Sequence, residues 1–179
     1  MDIKFRKIES DKDVDFLYEI YSCDRDIEEF SRDIKFSTRD EFTEILMKNL
    51  KFYYYEFFII EYYSVPVGFV YGHNHSPRDL TIRFSLYVLN EYRSCGIGAV
   101  AAFKYVKFLF KTLPVRKVYI TVFGCNKVSL ENNLQAGFVE EAVLKDYIFV
   151  NGEFCDLHYL SVSRERFLEL CKKRVFNKL

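Results

Sequence analysis

The feature that most restricts this chain is a change of hydrophobic period at Gly96. The run Leu86-Tyr87-Val88-Leu89 reads as the end of a strand. From Gly96 onward Ile97, Val100, Ala101, Tyr105, Phe108 and Leu109 recur at helical spacing until Leu113-Pro114 stops the helix. The junction Asn90-Glu91-Tyr92-Arg93-Ser94-Cys95-Gly96-Ile97-Gly98-Ala99 therefore delivers a strand into a long helix. Two glycines let main chain approach a ligand closely, and the aligned N–H groups of a helix N-terminus favour an anion such as a diphosphate. The same pattern also serves as a tight strand-to-helix turn with no ligand. It is neither Gly-x-Gly-x-x-Gly, because position 101 is Ala, nor a Gly-Lys-Ser/Thr loop, which argues against dinucleotide and nucleoside triphosphate sites.

The remaining pattern is a mixture of both periods. Ile3 to Ile8 alternates as a half-buried strand, and Asp11 to Tyr21 is helical after a Ser10 cap. A second helix is expected from about Thr38, after the start signal Ser37-Thr38-Arg39-Asp40-Glu41, to about Leu50. Glu56–Tyr62 and Val67–Gly72 form a hairpin about Ser64-Val65-Pro66, His73–Asp79 reads as a polar turn, and Leu80–Leu89 is a third strand. Strand Arg116–Phe123 precedes a short helix, Asn126–Ala136, stopped by Gly137. Strands at Glu140–Val150 and Phe154–Val162 flank Asn151-Gly152, and a helix from Arg164 to about Arg174 closes the chain. The plan is α+β in one domain, residues 1–179.

Charge narrows the function classes. Lys+Arg and Asp+Glu both number 26, so no global field favours nucleic acid or an anionic membrane. Five scattered cysteines with no C-x-x-C pair give neither a disulfide framework nor a zinc site, and a cytoplasmic location without metal is the expectation. Cys95 and Cys125 read as packing residues.

Two blocks together resemble the GNAT N-acetyltransferase superfamily. Arg93-x-x-Gly96-x-Gly98-Ala99 after a strand is similar to its acyl-coenzyme A signature. Val118-Tyr-Ile-Thr-Val-Phe-Gly-Cys-Asn126-Lys-Val-Ser129, with Gly137-Phe138 further on, is similar to its next strand, Asn-x-x-Ser/Ala helix and Gly-Phe stop. The tail Gly152-Glu153-Phe154-Cys155-Asp156 with Tyr159 resembles the branch of ribosomal-protein N-terminal alanine acetyltransferases. The resemblance implies a mixed, mostly antiparallel sheet of about seven strands flanked by helices, with the fourth and fifth strands splayed. It implies acetyl-coenzyme A as cosubstrate. Amides of Ser94, Cys95, Gly96, Ile97, Gly98 and Ala99 would hold the diphosphate, Arg93 would add charge, and main chain at Val88 would pair with the pantetheine arm. Asn126 would bond the pantetheine amides, with Ser129 at the sulfur end; Asn126 is equally a good helix N-cap.

Such a reaction needs an oxyanion donor, for which the amides of Val88 and Leu89 are candidates, and a base for the ammonium form of the acceptor. Many family members carry a Glu on the fourth strand, but Thr81-Ile-Arg-Phe-Ser-Leu-Tyr-Val has no acid. His73 and His75 are candidate bases, with Asp156 and His158 behind them. Asn133 stands where many members have a Tyr acid, which leaves Ser129 or water to protonate the thiolate. The acceptor would be an amino sugar or sugar-nucleotide amine, a protein N-terminus, or a small amine, acting on a monomer or homodimer. The competing reading is a coenzyme A-binding regulatory module without turnover.

Overall fold

The computed structural model describes residues 1–23, 36, 38–150 and 152–172. Strand β1 (Ile3–Arg6) leads through helix α1 (Asp11–Cys23) and helix α2 (Arg39–Phe52) into β2 (Tyr55–Tyr62), β3 (Val65–Ser76) and β4 (Thr81–Val88). A 3-10 helix (Asn90–Cys95) joins β4 to α3 (Ile97–Thr112), and β5 (Lys117–Phe123), α4 (Lys127–Gln135), β6 (Val139–Val150), β7 (Glu153–Ser163) and α5 (Arg164–Lys172) follow. The seven strands make one sheet in the order β1-β2-β3-β4-β5-β7-β6. Every neighbouring pair is antiparallel except β4 and β5, which are parallel.

The sheet is covered on both faces. On one face α3 buries Ile97, Val100, Ala101, Tyr105 and Leu109 against Val70, Ile82, Phe84, Val118 and Ile120, with Phe167 of α5 and Leu130 of α4 joining the same core. On the other, Val14, Leu17 and Ile20 of α1 and Phe42 and Leu46 of α2 pack on Phe57, Phe69 and Tyr87. The helix ends follow local chemistry: Thr38 caps α2 by accepting from Glu41 N–H at 3.2 Å, and Gly137, with φ 98°, turns the chain out of α4.

An ionic knot sets where α1 lies. Arg6 of β1 donates to Asp13 of α1 and to Glu61 of β2, both at 2.6 Å, and Asp13 Oδ2 also accepts from the N–H groups of Glu9 and Ser10. The Arg6 guanidinium, helped by those amides against the opposing effect of burial, holds the Asp13 carboxyl down from 3.8 to about 2. A carboxylate depressed on folding stabilises the fold above its unfolded pKa, and that contribution is lost as pH falls from about 4 through about 2. Asp13→Asn is expected to cost about 2 kcal/mol at pH 7 by denaturant unfolding, with the deficit against wild type vanishing below about pH 2.

Two expectations are corrected. His73–Ser76 is not a turn but the continuation of β3, with His73 opposite Arg83; a run of turn-like composition extends a strand where a partner strand pairs with it, which composition alone does not distinguish. Cys95 and Cys125 are exposed, not packed, because one closes the 3-10 helix and the other lies in the loop before α4. The expected start residue Ser37, the hairpin residue Asn151 and the helix end at Arg174 lie outside the described residues.

Candidate active site

The site begins where the sheet opens. Strands β4 and β5 pair only at Thr81–Lys117, Ile82–Val118 and Arg83–Tyr119. Beyond those pairs β4 stays with β3 up to Val88, while β5 stays with β7 up to Phe123, so the two strands part in the middle of the sheet. The facing edges carry main-chain donors and acceptors not used by a neighbouring strand. Leu89 N–H donates to Val67 O at 2.9 Å, which fixes the alternation: Leu89, Tyr87 and Ser85 bond toward β3, whereas the N–H groups of Val88 and Leu86 turn to the gap, the Val88 C=O on that side accepting from Arg93 Nε. Of the two expected oxyanion donors, Val88 therefore faces the opening and Leu89 faces away. Leu86, which the sequence reading passed over, faces it as well; the even-odd alternation of β4 was the available signal. Gly68, opposite Val88, permits this approach, since a Cβ there would stand 2.0 Å from Tyr87 O.

At the mouth of the gap stands the N-terminus of α3. Ser94 and Cys95 belong to the 3-10 helix, and Gly96 caps α3 in the left-handed region at φ 74°. The amides with no helical carbonyl one turn back are those of Ile97, Gly98 and Ala99, while Val100 N–H already reaches Gly96 O. The first turn of α3 has no acidic side chain. Gly98 is informative because the fold does not need it. Its φ is not positive, and an added Cβ would meet only Leu86 Cδ2 and Val88 Cγ2 at 3.9 Å, an ordinary contact. A glycine kept at a helix start against its poor helix propensity, with main chain turned to a cleft, fits the close approach of a diphosphate. Arg93 is partly committed: its Nε donates to Val88 O at 2.9 Å and its guanidinium lies 5.2 Å from the Tyr87 ring centroid, which ties the end of β4 to the junction.

Across the gap, Asn126 caps α4 by accepting from Ser129 N–H at 3.0 Å. Asn133 Nδ2 donates to Ser129 O at 2.8 Å and to Ser129 Oγ at 3.3 Å, so the Ser129 oxygen is held as an acceptor and its hydrogen is directed elsewhere. Ser129→Ala removes the hydroxyl and leaves the backbone cap intact. It is expected to lower kcat about a hundredfold with the acetyl-coenzyme A KM unchanged, as steady-state kinetics will show.

The α1/α2 face of the gap carries a group of hydroxyl side chains. His73 Nε2 lies 3.1 Å from Ser85 Oγ, and the Tyr71 ring beside His73 packs on Tyr54 with ring centroids 4.1 Å apart. Burial first, and the positive charge of Arg83 second, hold the His73 imidazole below its ordinary 6.5, so it is a neutral acceptor near pH 7. The same burial raises the phenols of Tyr21, Tyr54 and Tyr71 and keeps them protonated. A cavity of about 50 Å³ lies among Tyr21, Tyr54, Tyr71, Ser85 and Leu86. His158, by contrast, lies opposite Val122 with Nδ1 2.7 Å from Glu140 Oε1, and Asp156 bonds Lys145 Nζ, so neither joins His73. Among the described residues no cluster of His, Cys, Asp and Glu could hold a metal ion, and no helix is long and apolar enough to cross a membrane.

The chain is similar to known proteins in sequence and in fold. Residues 14–138 match the family model described as "Acetyltransferase (GNAT) family". Over 113 residues, 63% of this chain and 64% of the other, the sequence is 26% identical to the SPbeta prophage-derived uncharacterized N-acetyltransferase YokL of Bacillus subtilis (strain 168). It is 27% identical over 95 residues, 53% of this chain and 52% of the other, to YdaF of the same strain, provisionally named a ribosomal N-acetyltransferase. The matched stretch thus spans less than two thirds of either relative. The fold is similar to that of a spermidine N-acetyltransferase from Vibrio cholerae, solved with CoA and spermine, with a TM-score of 0.83 and 20% identity over 93% of this chain and 98% of that one.

Proposed function

This chain belongs to the acetyltransferase (GNAT) family, and from that premise we propose that it transfers an acetyl group from acetyl-coenzyme A to a primary amine by direct attack. The observation that carries the reading is the split between β4 and β5, with the gap-facing amides of Val88 and Leu86 leading to the open first turn of α3. Acetyl-coenzyme A supplies an activated thioester there. The amides of Ile97, Gly98 and Ala99 hold the diphosphate, and Arg93 adds charge at the mouth. Main chain around Val88 pairs with the pantetheine arm, and Asn126 Nδ2 bonds its amides.

The remaining residues handle charge and protons. The Leu86 and Val88 amides donate to the thioester oxygen as it gains charge, where one well-aimed donor is worth about 3 kcal/mol. Neutral His73 accepts a proton through Ser85, which replaces the strand carboxylate that β4 lacks. The Ser129 hydroxyl donates to the departing sulfur. Holding both substrates in register supplies much of the remaining acceleration.

The test is thiol release from acetyl-coenzyme A across a panel of primary amines. Amine-dependent release supports the transferase. Protection against thermal unfolding by coenzyme A with no release for any amine would instead favour a binding module without turnover, and would overturn the reading.

A further inference from the structure

On the α1/α2 face, at the apex where β4 and β5 part, an open groove of about 360 Å³ is lined by Asp79, Arg83, Arg116, Tyr119 and Tyr159 among others. Arg83 is half-buried on β4, two positions before Ser85. Its side chain crosses β5 and lies 5.0 Å from the Tyr159 ring centroid on β7. Arg116 is turned to the same groove by donating Nε to Asp79 O at 3.0 Å. Among the described residues neither guanidinium has a carboxylate partner: Asp79 Oδ2 accepts from Ser76 Oγ at 2.7 Å, and Glu141 holds Lys117 at 2.7 Å. Among the described residues lining the groove, two cations thus face one acid, Asp79.

A half-buried guanidinium with no carboxylate beside it among the described residues is open to an anion, and its planar fork suits carboxylate and phosphate oxygens. We infer that the acceptor is a primary amine that also carries a carboxylate or phosphate group, bound by Arg83 while the amine faces Ser85 and the Leu86 main chain. This rests on the transferase reading above. Arg83 and Leu86 are three residues apart, so amine and anion are separated by roughly 10 Å along the strand. A polyamine would meet two like charges where its second ammonium has to lie. If Arg83 served only to stack on Tyr159, its loss would change stability and leave charge preference alone.

Matched acceptors decide the matter: hexylamine against 6-aminohexanoate for a carboxylate, glucosamine against glucosamine 6-phosphate for a phosphate, and spermidine as the polycation. In at least one pair the anionic member is expected to have a kcat/KM ten- to a hundredfold higher, the range of one charge-assisted hydrogen bond, with spermidine below both. Arg83→Gln is expected to bring that ratio to about one without changing the acetyl-coenzyme A KM. Arg83→Lys keeps part of the ratio, and it carries the test should the glutamine variant fail to fold. A ratio near one in wild type, a preference for spermidine, or a ratio that survives Arg83→Gln overturns the inference alone. No thiol release with any amine while coenzyme A still raises the melting temperature overturns the transferase reading and this inference with it.

Discussion

Gly98→Val raises the KM for acetyl-coenzyme A by ten- to a hundredfold while the melting temperature stays within a few degrees of wild type. The two halves of that result have separate causes. A Cβ at position 98 meets only Leu86 Cδ2 and Val88 Cγ2 at 3.9 Å, so the fold accepts it. A branched side chain nevertheless stands over the amides of Ile97, Gly98 and Ala99 and keeps a diphosphate from reaching them. Losing about one hydrogen bond to a charged group, at about 1.5–3 kcal/mol, gives the stated range. Gly98→Ala separates cause from effect further, because alanine at a helix start stabilises by up to about 1 kcal/mol while still crowding the ligand. Isothermal titration with coenzyme A and thermal unfolding of both variants give the two numbers independently. An unchanged affinity in Gly98→Val would remove the phosphate-loop assignment.

His73→Gln lowers kcat/KM about a hundredfold at pH 7, the usual contribution of a positioned base. Its pH dependence is the sharper sign. Burial and the neighbouring charge of Arg83 push the His73 imidazole below 6.5, so the neutral, proton-accepting form persists to more acidic pH than for an exposed histidine. The acid limb of the wild-type kcat/KM profile is therefore expected below pH 6.5, and it disappears in His73→Gln, leaving only the rise set by deprotonation of the free amine. A profile from pH 5 to 9 for both enzymes checks this. An identical acid limb in the variant would return His73 to a packing role beside Ser85.

Much of the sheet's content was written locally and could be read. The period change at Gly96, the Asn126 cap and the Gly137 stop each mark an element by their own chemistry, and the described structure has them at φ 74°, at a 3.0 Å cap and at φ 98°. What local pattern does not carry is order in space. Nothing in β6 or β7 alone says that β7 inserts beside β5 and leaves β6 on the edge, since that depends on which neighbour completes the register from Lys117–Ser163 to Phe123–Leu157. The same limit explains His73. Its run of His, Asn, Ser and Pro has turn composition, yet pairing with Arg83 extends β3 through it and turns the imidazole onto Ser85.

The site follows the same division. The glycines stood out because their spacing before a helix is visible in one dimension, and Ser129, Asn126 and Val88 entered only through the resemblance to a family. Leu86 and Ser85 did not, because their importance comes from which edge and which face of β4 they occupy. Asn133 looked like the loss of an acid, and its bond to Ser129 Oγ is a contact that spacing could not reveal.

The most direct test is an amide chemical-shift titration of ¹⁵N-labelled protein with coenzyme A. The account predicts that the largest shifts fall on Ile97, Gly98 and Ala99 and on Leu86 and Val88, with Leu89, whose N–H is held by Val67 O, moving less than Val88. Saturable binding with those amides unmoved, and the shifts gathered elsewhere in the chain, would contradict it.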